Sequence, residues 1–167
     1  PALESAPEIR WKGDFGLPTS LSIINDQVVK RLPLRVQRLN RIGRPEDPPL
    51  SHGSSIEVHH EWPPDFTVPE SGRFATIVPW EFGAPPQRWL PDIANRVDEL
   101  WVPSHYVRDM YVEAGIEARR VHVIPNGVDL EAFHPDGARQ PSQRRRFLYV
   151  GGITRRKGVD LLLGAWD

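Results

Sequence analysis

The amino-acid sequence predicts an α/β fold, a parallel sheet covered by helices on both faces, followed by the first strand-turn-helix unit of a second such domain. Three observations carry this reading. From Gln87 onward, helical and extended patterns alternate regularly. The apolar runs before that point each stop at Gly, Pro or polar residues, as strands do when they end in loops. A Pro/Gly/Ser/Gln-rich stretch then breaks the alternation before a fresh apolar run begins at Phe147.

The first element is a short strand around Ile9–Trp11, with a turn carrying Gly13 and Gly16. A helix follows, with Ser20 as candidate N-cap and Leu21, Ile24, Val28 and Leu32 at spacings of three and four. Residues 33–55 mix Pro, Gly and charge and read as a connection. A strand alternating Ile56, Val58 and His60 comes next, then one at Phe74–Val78; these deliver His59, His60, Trp80 and Glu81 to their carboxyl ends. Beyond them lie a helix around Gln87–Val97 and a strand in "ELWVP". The helix "SHYVRDMYVEAG" has Ser104 as cap and Gly115 as stop, and the strand "VHVIP" turns at Asn126-Gly127. The expected organisation is an N-terminal domain over 1–133, a linker over 134–146, and the start of a C-terminal domain over 147–167.

Charge and composition narrow the function. The 21 Lys+Arg and 22 Asp+Glu leave a net charge of −1, so no global field gathers nucleic acid or anionic lipid, and a cationic site must be local. With no Cys, disulfides and Cys-based zinc sites are excluded. No apolar run approaches the ~18–20 residues of a membrane span, so a soluble protein is expected. Residue 1 is Pro and the only Met is Met110, which suggests part of a longer polypeptide.

"VGGITRRKGVDLLL" poses a local electrostatic question. A helix N-terminus is positive, so Arg155, Arg156 and Lys157 are placed where cations are disfavoured and anions are welcome. With Gly151 and Gly152 exposing backbone donors beside them, they suit a phosphate or diphosphate; solvated or carboxylate-paired side chains are the alternative. The order is wrong for a P-loop, because Val159 follows Lys157-Gly158 where Ser or Thr is needed, and G-x-G-x-x-G is absent.

"VPSHYVRDMYVEAGIEARRVHVIPNGVDLEAFHPDG" followed by "FLYVGGITRRKGVDLLLGAW" resembles the family 4 retaining glycosyltransferases of GT-B fold. "IRWKGDFGLPTSLSIIN" and "VHHEWPPDF" resemble, more loosely, the glycine loop and an active-site loop of that family's acceptor domain. The resemblance implies two Rossmann-like domains facing across a cleft. It also implies a nucleotide-diphosphate sugar as donor substrate, a saccharide or lipid-linked acceptor, transfer with retention, and no metal or other cofactor. On it, Gly151, Gly152, Arg155, Arg156 and Lys157 are donor-binding residues, His59, His60 and Glu81 are catalytic candidates, and Gly13, Gly16, Trp80 and Asn126 line the acceptor side or the cleft. A buried, hydrogen-bonded His60, a core or lid Trp80, a helix-capping Glu81 and a plain Asn126-Gly127 turn are the alternatives.

Two departures stand out against the family pattern. Gly152 occupies the place of an expected Arg, whose charge Arg155 or Arg156 would supply, and "PWEF" stands where the family often has a His. The nucleic-acid reading is set aside on charge balance. A cytoplasmic location is expected, with peripheral membrane contact left open for the full-length protein, and the 167 residues by themselves are expected to be inactive. A non-catalytic Rossmann-like module binding a phosphorylated ligand or a protein partner is the competing function.

Overall fold

In the computed structural model, residues 8–40, 47, 50, 55–137 and 144–166 are described. The chain forms two compact units, Pro1–Gly127 and Val128–Asp167. The first is a six-stranded sheet in the order β2-β1-β3-β4-β5-β6, every neighbouring pair parallel. Its strands are β1 (Glu8–Gly13), β2 (Arg35–Asn40), β3 (Ile56–His60), β4 (Arg73–Ile77), β5 (Glu99–Val102) and β6 (Val121–Val123). The helices flanking it are α1 (Ser20–Arg31), α2 (Leu90–Arg96, entered through a 3-10 turn at Gln87–Trp89) and α3 (His105–Glu113). This is the α/β, Rossmann-like fold that the alternating pattern predicts.

The pleat sorts strand residues to two faces, each with its own core. On one face Phe74, Val78, Leu100 and Val102 pack with Trp89, Ile93 and Val97 around α2 and with Val107, Met110 and Tyr111 of α3. On the other, Ile9, Trp11, Phe15, Val58 and Ala75 pack with Val29 and Leu32 from α1 and its end. Ser104 caps α3, its Oγ accepting from the Val107 N–H at 3.3 Å, and Gly115 closes it with φ +98°. Both residues were legible as cap and stop.

Two local expectations are corrected. Residues Arg35–Asn40, read as part of a connection, form the edge strand β2, paired residue for residue with Glu8–Gly13. Val36 and Leu39 are three apart and Gln37 is the buried position, so no period-two apolar pattern announces the strand; its ladder with β1 holds it instead. In α1 the cap is Thr19 rather than Ser20, with Thr19 Oγ1 accepting from the Ser22 N–H at 3.3 Å. The fully buried residues of α1 are Ser22 and Asn25, while Val28 is exposed. The helix is therefore turned from its most apolar stripe toward a polar partner, described below.

In the second unit, Phe147–Val150 has no strand ladder, so the expected strand is not formed among the described residues. Arg155–Lys157 make a 3-10 turn, and Gly158, at φ +69°, leads into the six-residue α4 (Val159–Gly164). Phe147, Leu148, Val150, Leu161, Leu163 and Trp166 are all exposed. The predicted linker keeps no helix or strand in its described residues, and 138–143 lie outside them. No helix among the described residues is long and apolar enough to cross a membrane.

Arg120 ties the amino-terminal side of β6 to α2. Its guanidinium donates to the carbonyls of Ala94 at 2.8 Å and Ile93 at 2.9 Å, and to that of Val97. These carbonyls close the last turn of α2, where a cation is favoured. Arg120→Met should lower stability by about 1–3 kcal/mol. Urea unfolding with an unchanged m-value is the measurement that checks it.

Candidate functional site

From β1 the chain passes through α1 to β2 on one side, and from β3 it proceeds to β4 on the other. The carboxyl ends of β1 and β3 are therefore the switch point of the sheet, where open α/β sheets leave a crevice for ligands. Gly13 ends β1 and His60 ends β3, directly opposite each other in register.

These two residues meet through Asn25. The Asn25 Oδ1 accepts from the Trp11 Nε1–H at 2.9 Å and faces His60 Nδ1 at 2.6 Å. Its Nδ2 donates to the Asp14 carbonyl at 3.0 Å and the His60 carbonyl at 3.1 Å. An amide offers two donors and two lone pairs, and all four are used. Because Oδ1 can only accept, His60 carries its hydrogen on Nδ1 and keeps the Nε2 lone pair, for which no partner exists among the described residues. Burial opposes the charged ring and pushes the His60 pKa down to about 4, so the imidazole is neutral near pH 7.

Gly13 is required by closeness. A Cβ there would sit under 3.0 Å from both Asn25 Nδ2 and the His60 carbonyl oxygen. Gly16 is a glycine for a different reason: its φ of +69° is left-handed, and the space around its Cα is open. The loop is pinned to α1 by Gly16 N–H donating to Asp26 at 3.0 Å and Leu17 N–H donating to Ser22 Oγ at 2.8 Å.

His59 and His60, adjacent in sequence, point to opposite faces. His59 packs edge-on against Phe74 at 4.6 Å, with Nδ1 3.0 Å from the Asp65 carbonyl and Nε2 2.8 Å from Glu57. Both ring nitrogens are engaged, so the geometry gives it a structural place rather than a free nitrogen. Glu57 in turn meets Arg10 at 2.8 Å.

Lys12 lies on the same face as His59. Its ammonium binds Asp65 and lies 3.7 Å from Glu61. Burial resists the charge on Lys12, but the Asp65 hydrogen bond and the Glu61 and Asp65 carboxylates outweigh it and raise its pKa. For Asp65, burial likewise opposes ionisation. The Lys12 bond and the Thr67 hydroxyl and N–H, at 2.7 and 2.9 Å, prevail and hold its pKa at about 2. His59, Glu61 and Asp65 bring metal-ligating atoms within 4.8 Å of one another. Lys12 already supplies that cluster's positive charge, and we assign it no ion.

The remaining candidates are spread out. Trp80 lies three residues beyond β4, partly buried, its Nε1–H donating to the Ala84 carbonyl at 3.1 Å, and Glu81 beside it is exposed. Asn126 is exposed at the end of the first unit. In the second unit Gly151, Gly152, Arg155, Arg156 and Lys157 are all exposed. The Tyr149 hydroxyl donates to the Gly152 carbonyl at 2.8 Å, and Arg155 lies 4.0 Å from Asp160. The three cations form their own 3-10 turn ahead of α4 rather than its first turn.

Sequence reasoning missed Asn25, Lys12 and Asp65. The available signal was Asn25 beside the apolar stripe of α1, together with Trp11, whose ring N–H needs an acceptor once buried.

Residues 55–132, from the approach to β3 to beyond β6, match the family model described as Glycosyltransferase Family 4. The match supports a glycosyltransferase family 4-like domain over that stretch and leaves out β1 and α1. No curated protein and no solved structure matches the chain.

Two predictions follow from this geometry. Gly13→Ala should cost about 1–3 kcal/mol through overlap with Asn25 and the β3 carbonyl, whereas Gly16→Ala should cost about 1 kcal/mol through its backbone angle alone; chemical denaturation of both variants separates the two causes. For His60, the unfolded chain binds a proton near pH 6.5 and the folded chain only near pH 4. Stability is thus fully present above pH 6.5 and falls as pH drops toward 4, by about 3 kcal/mol at most. A pH series of urea unfolding should show this slope, and His60→Gln should flatten it.

Proposed function

We propose that the chain is the acceptor-side domain and the opening of the donor-side domain of a nucleotide-sugar-dependent glycosyltransferase acting with retention. The observation that carries this reading is the switch-point arrangement of Gly13, Asn25 and His60 in a domain whose later part, from residue 55 onward, matches a glycosyltransferase family model. A glycine loop lets a ligand approach the backbone closely. A neutral imidazole with a fixed tautomer offers an acceptor nitrogen at the end of β3.

In the proposed reaction the bond from the sugar C1 to the diphosphate oxygen breaks, and its electron pair leaves on that oxygen. The acceptor hydroxyl oxygen forms the new bond to C1 on the same face, and its proton passes to the departing diphosphate. The transition state carries positive charge on the sugar ring and growing negative charge on the leaving group. Groups poised for those charges, rather than for the ground state, lower the barrier.

Lys157 and one of Arg155 and Arg156 are assigned to the diphosphate. Long cationic side chains on an exposed turn, with two glycines close before them, suit a doubly charged leaving group without a metal. His60 is assigned to the acceptor side, where Nε2 accepts a hydrogen bond from a hydroxyl group. Its low proton affinity suits hydrogen-bond acceptance and positioning at neutral pH rather than storage of a proton.

The test is nucleoside diphosphate binding by the full-length protein, measured by titration calorimetry with UDP and GDP. Lys157→Ala and Arg156→Ala should each weaken binding about tenfold or more. Unchanged affinity in both variants rejects the donor assignment. Binding without any sugar transfer, in the presence of nucleotide sugar and acceptor, would favour a non-catalytic phosphate-binding module.

A further inference from the structure

The loops after β3 and β4, two neighbouring strands, bring four aromatic rings together. Trp62 lies two residues beyond β3; Trp80 and Phe82 follow β4; Trp89 leads into α2. Trp62 and Trp80 lie 6.4 Å apart with their planes only 20° from parallel. Trp89 meets both edge-on, at 5.7 and 5.2 Å, and Phe82 meets Trp80 edge-on at 5.2 Å. Trp89 is 7% exposed and forms the floor, while Trp62 is 45% and Phe82 60% exposed.

An apolar cluster seeking only burial would not leave Trp62 and Phe82 in water at the carboxyl edge of the sheet. The cluster is also held still. Trp80 is fixed through its Nε1–H to Ala84, and Trp89 wedges against both other indoles. Rings already immobilised lose little freedom when a ligand settles on them.

The structure assigns this surface, we infer, to a pyranose ring of a saccharide acceptor, with Trp62 and Phe82 as the specificity-determining residues. The inference rests on the glycosyltransferase reading above and names the substrate class on its acceptor side. The face of a pyranose that carries its axial C–H groups is apolar and flat, and it stacks on an indole through those hydrogens. Its equatorial hydroxyls point outward, and Glu81, Gln87 and Arg88, within two residues of these rings in the chain, are exposed. Arg88 lies over the Trp89 ring at 5.7 Å, so a guanidinium is already positioned beside the aromatic surface.

Charge argues for a sugar over a membrane surface. An interfacial aromatic belt that holds an anionic bilayer is normally reinforced by clustered Lys and Arg. Here the exposed charged residues adjoining Trp80, Phe82 and Trp89 in the chain are one acid, Glu81, and one base, Arg88, which cancel. A neutral, polyhydroxylated ligand matches that balance.

The experiment uses the 167-residue chain on an array of immobilised glycans, followed by calorimetry with the soluble form of the best binder. Controls are Trp62→Ala, Phe82→Ala and, in the other unit, Phe133→Ala. Trp62 and Phe82 are exposed, so circular dichroism should show both variants folded. The inference expects a saccharide bound by the native chain and by Phe133→Ala. Affinity should fall about tenfold or more in Trp62→Ala and measurably in Phe82→Ala. No bound glycan, or a glycan bound equally well by Trp62→Ala, overturns it. Trp62-dependent sedimentation with vesicles of mixed neutral and anionic phospholipid, without glycan binding, overturns it in favour of a membrane surface. Nucleoside diphosphate binding through Lys157 is measured separately. Its presence with no glycan bound sinks the aromatic subsite alone, and its absence with a glycan bound sinks the transferase reading alone.

Discussion

The Asn25 side chain is the contact on which the first unit turns. It fills both donor and both acceptor positions of its amide with Trp11, His60 and the Asp14 and His60 carbonyls. A helix normally docks on a sheet by its apolar stripe, but α1 instead buries Ser22 and Asn25 and leaves Val28 in water. An unsatisfied buried amide would cost more than a made hydrogen bond gains, so the orientation is tightly specified. Gly13 follows from it: with the amide pressed against β1, no side chain fits there. The same contact decides which nitrogen of His60 holds the hydrogen. The orientation of α1, the glycine at position 13 and the tautomer of His60 thus follow from one polar residue.

The two faces of the sheet divide the work. The face under α1 carries Trp11, Val58 and His60, with the amide network at its carboxyl end. The opposite face, over β1 and β3, carries Arg10, Glu57, His59, Lys12 and Asp65 in a chain of ion pairs and hydrogen bonds. That chain binds the segment after β3 back onto the sheet, since Asp65 holds both Lys12 and Thr67 while Phe66 enters the core of α2 and α3. Trp62 sits in the same segment. The partly buried Lys12–Asp65 pair therefore helps hold the loop whose exposed indole we assign to saccharide.

The two units differ in how much of their apolar surface is covered. The first has a core on each face of a complete ladder. In the second, Leu148, Val150, Leu161 and Leu163 stay in water, and the basic turn stands on a six-residue helix. Exposed Arg and Lys side chains contact a ligand chiefly through charge, and charge acts over a Debye length rather than through a shaped pocket. The assignment of the donor phosphate to this turn accordingly rests on cation chemistry and glycine placement, whereas that of the acceptor rests on geometry.

The residue pattern by itself determined the parallel α/β class, β1 and β3 to β6, the cap and stop of α3, and the carboxyl-end positions of His60, Trp80 and Glu81. Each of these is written in local periodicity, in capping chemistry or in the residues that break a pattern. It also singled out Gly13 and Gly16, though not the reasons, which are a close amide in one case and a left-handed backbone in the other. Tertiary structure alone decided that Arg35–Asn40 is a strand, because its ladder with β1, not its own pattern, specifies it. It decided which partners His59 and His60 meet on the two faces, and that Asn25 belongs to the site. It gathered Trp62, Trp80, Phe82 and Trp89, which span 28 positions from the first to the last, into one surface. Such pairings join residues far apart in the chain, and their energy exists only once the sheet has brought them within contact distance.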